Sequence, residues 1–143
     1  MAHEREAPFA ARWAAGEWRG ESLVAVSGER YRVIYQGRPG GGAGPDFRDA
    51  VLIGPDGGRI YGDVELHLRP ASWRTHGHER DPRYNGLALH IAIRPGTATD
   101  RATTLASGRT VPLVLLPPSG RGEIRAPAWP CANLAARRMS SSV

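Results

Sequence analysis

GPDFRDAVLIGPDGGRIYGDVELH, residues 44–67, decides the fold. From residue 60 to residue 69 the side chains alternate. Ile60, Gly62, Val64, Leu66 and Leu68 fall on one face, and Tyr61, Asp63, Glu65, His67 and Arg69 on the other. A period of two is that of a half-buried β-strand. The GPDGG before it supplies Gly and Asp where positive backbone dihedrals are needed, so the preceding residues form the partner strand of a β-hairpin. Two acids and a histidine in register on one strand exceed what solvation asks for. The hairpin also brings the head of the partner strand, Asp46, alongside them.

Outward from the hairpin, residues 8–19 (PFAARWAAGEWR) spell a short helix. Pro8 suits its first turn, and Phe9, Trp13 and Glu17 share a face at the i, i+4 spacing. Trp13 and Trp18 read as core anchors. Two strands follow, residues 22–26 and 31–36, joined by the turn signal SGER. The glycine-rich GRPGGGAGPDF is neither a P-loop nor a dinucleotide fingerprint, because no GK[ST] and no helix follow it. It reads as a tight connection that delivers Asp46, stiffened by Pro45.

Residues 70–81 (PASWRTHGHERD) break the strand pattern, with Trp73 at the core edge. His76 and His78 flank a glycine, and in an extended loop both would point the same way. Asp81-Pro82 and Asn85-Gly86 bracket a turn. Residues 87–93 (LALHIAI) form a buried strand with His90 between two alanines on its second face, and residues 110–116 form another. A short helix is expected at residues 132–139. The expectation is therefore one domain over residues 1–143, of the α/β (α+β) class. It has a central, mostly antiparallel or mixed sheet, a short N-terminal helix, and flexible ends at about 1–7 and 138–143.

A chain of 143 residues holds one sizeable core. No apolar run reaches the length of a membrane span, and charges interrupt the N-terminus where a signal peptide needs an apolar stretch. The single cysteine, Cys131, excludes an internal disulfide and fits a reducing compartment. A cytoplasmic protein with no membrane partner is expected. The net charge of +5 comes from arginine, since the chain has no lysine. Arginine suits phosphate recognition, which makes nucleic acid a compatible partner, but its scattered placement speaks first to solubility.

The candidates for chemistry are Asp46, Asp49, Asp63, Glu65, His67, His76, His78, Asp81 and His90. Four of the five histidines lie between positions 67 and 90. Carboxylates and imidazoles gathered on one sheet face need a metal or polar partners. One reading is a zinc site in which His76 and His78 are joined by Asp81, His67 or His90. Three protein ligands with an open position would make it hydrolytic, and four would make it structural.

The Pro-Asp heading one hairpin strand and the Glu-x-His on the next resemble the PD-(D/E)XK nuclease signature. The resemblance implies a nuclease-like core and a metal-dependent phosphodiesterase acting on nucleic acid. Asp46 and Glu65 would hold Mg²⁺ or Mn²⁺, and Glu17 would be an accessory acid. His67 stands where the signature has lysine. With an unperturbed pKa of about 6.5, it suits a base or a third ligand rather than a permanent cation. The alternative is a catalytically inactive module of the same fold that binds nucleic acid or protein.

A second resemblance covers more of the chain. GPDFRDA, GDVELHLRPASW, HGHERDPRYN, LALHI and a late PC are similar, in order, to a bacterial family, domain of unknown function 2851, from about Trp13 to Cys131. It implies that His76, His78 and Asp81 belong to one shared pattern with Asp46, Glu65 and His67. Members of that family often continue further, so a missing C-terminal domain or a second copy of the chain is an expected partner.

Overall fold

The computed structural model describes residues 2–94 and 101–116. The 44–67 hairpin is present as strands β4 (Phe47–Ile53) and β5 (Arg59–His67). They pair antiparallel, with Val51 opposite Tyr61 and Leu52 opposite Ile60. Before them stand helix α1 (Ala2–Ala14) and strands β1 (Ser22–Val24), β2 (Arg30–Tyr35) and β3 (Arg38–Pro39). After them come the one-turn helix α2 (Ser72–Thr75) and strands β6 (Leu87–Ala92), β7 (Ala102–Thr104) and β8 (Thr110–Leu115).

The strands form one sheet in the order β1-β2-β4-β5-β6-β8-β7, with β3 added beside β4. The β5–β6 and β6–β8 pairings are parallel and the others antiparallel, so the sheet is mixed and the fold is sheet-dominated α+β. A parallel pair cannot be closed by a two-residue turn and needs a long crossover. Residues 68–86 supply it, and they carry His76 and His78 over the sheet.

Helix α1 starts well before the expected residue 8 and ends at Ala14, so Pro8 lies inside it rather than in its first turn. The i, i+4 pair Phe9 and Trp13 is buried as expected, and Trp18 joins them from the turn beyond the helix. Its ring lies 5.0 Å from that of Phe9 and 5.8 Å from that of Trp13. These aromatics pack with Val33, Leu52, Val64, Leu66, Leu89 and Ile91 in the main core. The even-numbered residues of β5 thus face α1. Trp13 Nε1–H donates to the Gln36 carbonyl at 3.0 Å, which satisfies its one polar atom.

The odd-numbered residues of β5 face the other way. Over the β6 half of that second face, Trp73, Tyr84, Leu87, Leu105 and Val111 form a smaller cluster. Gly62 permits the close approach of β5 and β6, because a Cβ there would lie 2.7 Å from Ala88 Cβ and 2.7 Å from the Gly86 carbonyl. No helix among the described residues is long and apolar enough to cross a membrane. The expected helix at 132–139, Cys131 and the C-terminal end at 138–143 lie outside the described residues.

Candidate metal centre

Glu65 and His67 project from adjacent same-face positions of β5 and are almost fully buried. The crossover then brings two more imidazoles to them. His76 closes α2, and Gly77, in the left-handed conformation at φ 75°, turns the chain into a single 3₁₀ turn, His78–Arg80. The HGH segment is therefore a sharp reversal and not the extended loop expected. Glycine accepts that conformation without the steric cost other residues meet. A second 3₁₀ turn, Pro82–Tyr84, follows, with Asp81 as its N-cap accepting the Arg83 backbone N–H at 3.0 Å and Pro82 in its first turn.

The result is a convergence of nitrogen and oxygen atoms. Nε2 of His67 and Nε2 of His78 lie 3.3 and 3.2 Å from the same atom, Glu65 Oε2. One ring nitrogen from each of His67, His76 and His78 lies within 4.8 Å of the others. A tetrahedral ion with metal–nitrogen bonds of about 2.0–2.1 Å sets its ligand atoms about 3.3–3.4 Å apart. The two Glu65–histidine separations have that length, while the three imidazoles are the group whose ligand atoms all lie within 4.8 Å of one another. His76 is exposed, and the cluster opens to solvent on its side.

Behind the cluster runs a hydrogen-bonded chain. His67 Nδ1 lies 2.9 Å from His90 Nε2, and His90 Nδ1 lies 2.8 Å from Thr103 Oγ1. With Glu65 as acceptor, a consistent set of tautomers has Thr103 donating to His90, His90 to His67 and His67 to Glu65. If His67 Nε2 gives its lone pair to a cation, the chain reverses. His67 Nδ1–H then donates to His90, and His90 donates to Thr103. A ligating histidine whose second N–H is anchored in this way is the usual support for a bound metal.

Burial lowers the His67 pKa to about 2, helped by His90, His78 and His76. The Glu65 carboxylate at 3.3 Å works in the opposite direction. Burial among three other imidazoles outweighs it, so the contact is a hydrogen bond and not an ion pair. His78 is also held below its ordinary value, first by burial and then by His76. Neutral imidazole is the form that binds a metal. Tyr84 stacks on His78 at 4.0 Å and 22°, and its hydroxyl donates to the Gly44 carbonyl at 3.0 Å. Burial and the nearby Glu65 and Asp46 push its pKa up to about 12, which keeps that donor in place.

The structure thus gathers Glu65, His67, His76 and His78 and places His90 one step behind them. Asp46 adjoins through the backbone. Its N–H donates to Glu65 Oε1 at 3.0 Å, and its Oδ2 accepts the Leu66 N–H at 2.9 Å. Asp81 does not join. Arg83 holds its carboxylate with contacts down to 2.7 Å and keeps its pKa below the usual carboxylate value. Asp49 pairs with Arg38 at 2.6 Å and donates its N–H to Asp63, away from the imidazoles in the contacts it makes. Glu17 lies beyond the end of α1 and pairs with Arg12 at 2.7 Å.

Three contributors were not legible as site residues. Thr103 sits in a short strand with no motif around it. Tyr84 looked like part of a turn. Glu79, beside His78, has Oε1 buried without a hydrogen-bond partner among the described residues and acts on the His78 imidazole through its charge, though it supplies none of the converging ligand atoms.

A family model described as "Protein of unknown function (DUF2851)" matches residues 6–120. Neither the curated proteins nor the solved structures contain a significant match.

Proposed function

We propose, for a chain that belongs to the DUF2851 family of unknown function, a metal-dependent hydrolase acting on phosphodiester bonds. In this reading His67, His76 and His78 hold a zinc-type divalent ion, with Glu65 beside it. The observation that carries it is the meeting of His67 Nε2 and His78 Nε2 at Glu65 Oε2, at 3.3 and 3.2 Å. Three imidazoles and a carboxylate are a donor set for zinc and its neighbours in the transition series, whereas magnesium prefers oxygen. A metal bound there supplies Lewis acidity toward a substrate oxygen. Glu65 is placed to accept a proton beside the ion or to complete its shell. His90 and Thr103 orient His67, and exposed His76 marks the side from which substrate enters.

The phosphodiester part of the proposal rests on the likeness of the Pro-Asp and Glu-x-His hairpin to the PD-(D/E)XK signature, which includes a nuclease-like core. One observation favours a second reading within it, a Mg²⁺ or Mn²⁺ site at the carboxylates. Asp46 and Glu65 are linked through two backbone amides, which keeps the two carboxylates in one neighbourhood.

Metal content of the purified chain, followed by zinc, manganese and magnesium titrations of wild type, His76→Ala and Glu65→Ala, separates the two. Tight zinc binding that His76→Ala weakens supports the histidine centre. Manganese or magnesium binding that depends on Glu65 and ignores His76 supports the carboxylate site. Loaded protein that leaves nucleic acid and an activated phosphodiester intact sinks the hydrolase and leaves a binding module.

A further inference from the structure

Among the described residues, the second face of the sheet is covered only over its β6 half. On the β2–β4–β5 half, the strand registers lay two rows of side chains across three strands. In one row Tyr35 is opposite Val51 and Val51 opposite Tyr61. In the other Arg32 is opposite Ile53 and Ile53 opposite Arg59. A bulge between Val33 and Tyr35 turns both Arg32 and Tyr35 outward, which strict alternation would not do. Tyr61 is 68 % and Tyr35 37 % exposed, and they are the large hydrophobic residues exposed among those described.

We infer that this open face binds single-stranded nucleic acid, with unpaired bases stacking on Tyr35 and Tyr61 and the backbone held by Arg32 and Arg59. The two tyrosines stand two strand spacings apart, about 10 Å, and the arginine row lies two residues along, about 7 Å away. Aromatic rings on an open sheet, flanked by cations, suit bases whose faces are free. A duplex hides those faces, and the strands of this face present no helix or ribbon to enter a groove.

Charge complementarity selects this occupant over an apolar protein surface. Neither Arg32 nor Arg59 makes an ion pair among the described residues. Two acids of β4 and β5 are already matched, Asp49 with Arg38 at 2.6 Å and Asp63 with Arg48 at 4.0 Å. The face is also continuous with the metal centre, because Tyr61, Asp63, Glu65 and His67 share one side of β5. Tyr61 lies four residues, about 13 Å, from Glu65. The Tyr35–Val51–Tyr61 row crosses the strands, so a single strand lying on it passes within that distance of the centre rather than running along β5. The inference rests on the phosphodiesterase reading for its functional meaning and supplies the substrate's form.

The test is fluorescence anisotropy with labelled oligothymidylate, oligouridylate and a duplex of equal length, using the full chain in EDTA so that binding is read without cleavage. Both single strands are expected to bind in preference to the duplex. Tyr35→Ala and Tyr61→Ala should each weaken binding about tenfold, and Tyr61→Phe should restore it. In the Arg32→Ala/Arg59→Ala protein, the slope of log affinity against log salt should fall by about 1.4, at about 0.7 per phosphate contact.

No single-strand binding at low salt, or tyrosine variants that bind like wild type, overturns the inference. So does a dimer in sedimentation that Tyr61→Ala dissolves, which would assign the face to a second copy. The metal reading fails or stands separately. Protein that holds zinc and cleaves a small phosphodiester yet ignores oligonucleotides defeats only the docking face, while strand binding by a protein that takes no metal defeats only the centre.

Discussion

His67 and His90 meet nitrogen to nitrogen, Nδ1 of the first 2.9 Å from Nε2 of the second. Only one of the two atoms carries the hydrogen, so each ring fixes the tautomer of the other, and Thr103 fixes the far end at 2.8 Å. The pair exists because β5 and β6 are parallel with Glu65 opposite His90 and His67 opposite Ala92, which makes His67 the diagonal neighbour of a histidine twenty-three positions later in the chain.

The first prediction follows from that chain of contacts. His90→Gln leaves the proposed ligands in place but loosens the ring of His67, and zinc affinity should fall about 10–100-fold, the usual effect of removing an outer partner. Thr103→Val should act in the same direction and less strongly. Competition with a colorimetric chelator reads both. Affinity unchanged in His90→Gln would mean that His67 is not a ligand.

Gly77 is the hinge of the HGH reversal. A Cβ there would meet nothing within 4 Å, so Gly77→Ala is opposed by backbone conformation alone. The left-handed conformation costs an L-residue about 1–2 kcal/mol. Urea denaturation should show a loss of that size, with weaker zinc binding because His76 and His78 no longer share a direction. Gly77→Asn should fall between wild type and alanine.

Asp81 caps a turn and pairs with Arg83, outside the group of converging imidazoles. Asp81→Asn retains the acceptor for the Arg83 N–H and should leave zinc stoichiometry and affinity as in wild type, while Asp81→Ala should lower the urea midpoint. A stoichiometric loss of zinc in Asp81→Asn would return Asp81 to the ligand set.

Tyr31 gives the alkaline limit. Burial, then its hydrogen bond to Glu29 at 3.0 Å, raise its pKa to about 12 from 10.0. The folded protein therefore holds the phenolic proton more tightly than the unfolded chain. That contribution to stability is fully present below pH 10 and is lost as the pH rises toward 12. Absorbance titration should show Tyr31 ionising late, and Glu29→Gln should bring it back only in part, because burial is the larger cause.

The hairpin, the two faces of β5, the buried strand at 87–92 and the Phe9–Trp13 pairing were all readable in the residues, because period-two and i, i+4 patterns are local and each residue votes on its own environment. So was the candidate pool from Asp46 to His90, since an excess of imidazole and carboxylate needs no coordinates to be noticed. The tertiary structure alone decided which of them meet. Parallel pairing of β5 with β6 set Glu65 beside His90, and Gly77 aimed His76 and His78 at one carboxylate oxygen, while Arg83 kept Asp81 away. Those outcomes depend on register and chain reversal between segments far apart in sequence, and no periodicity within either segment encodes where the other will lie.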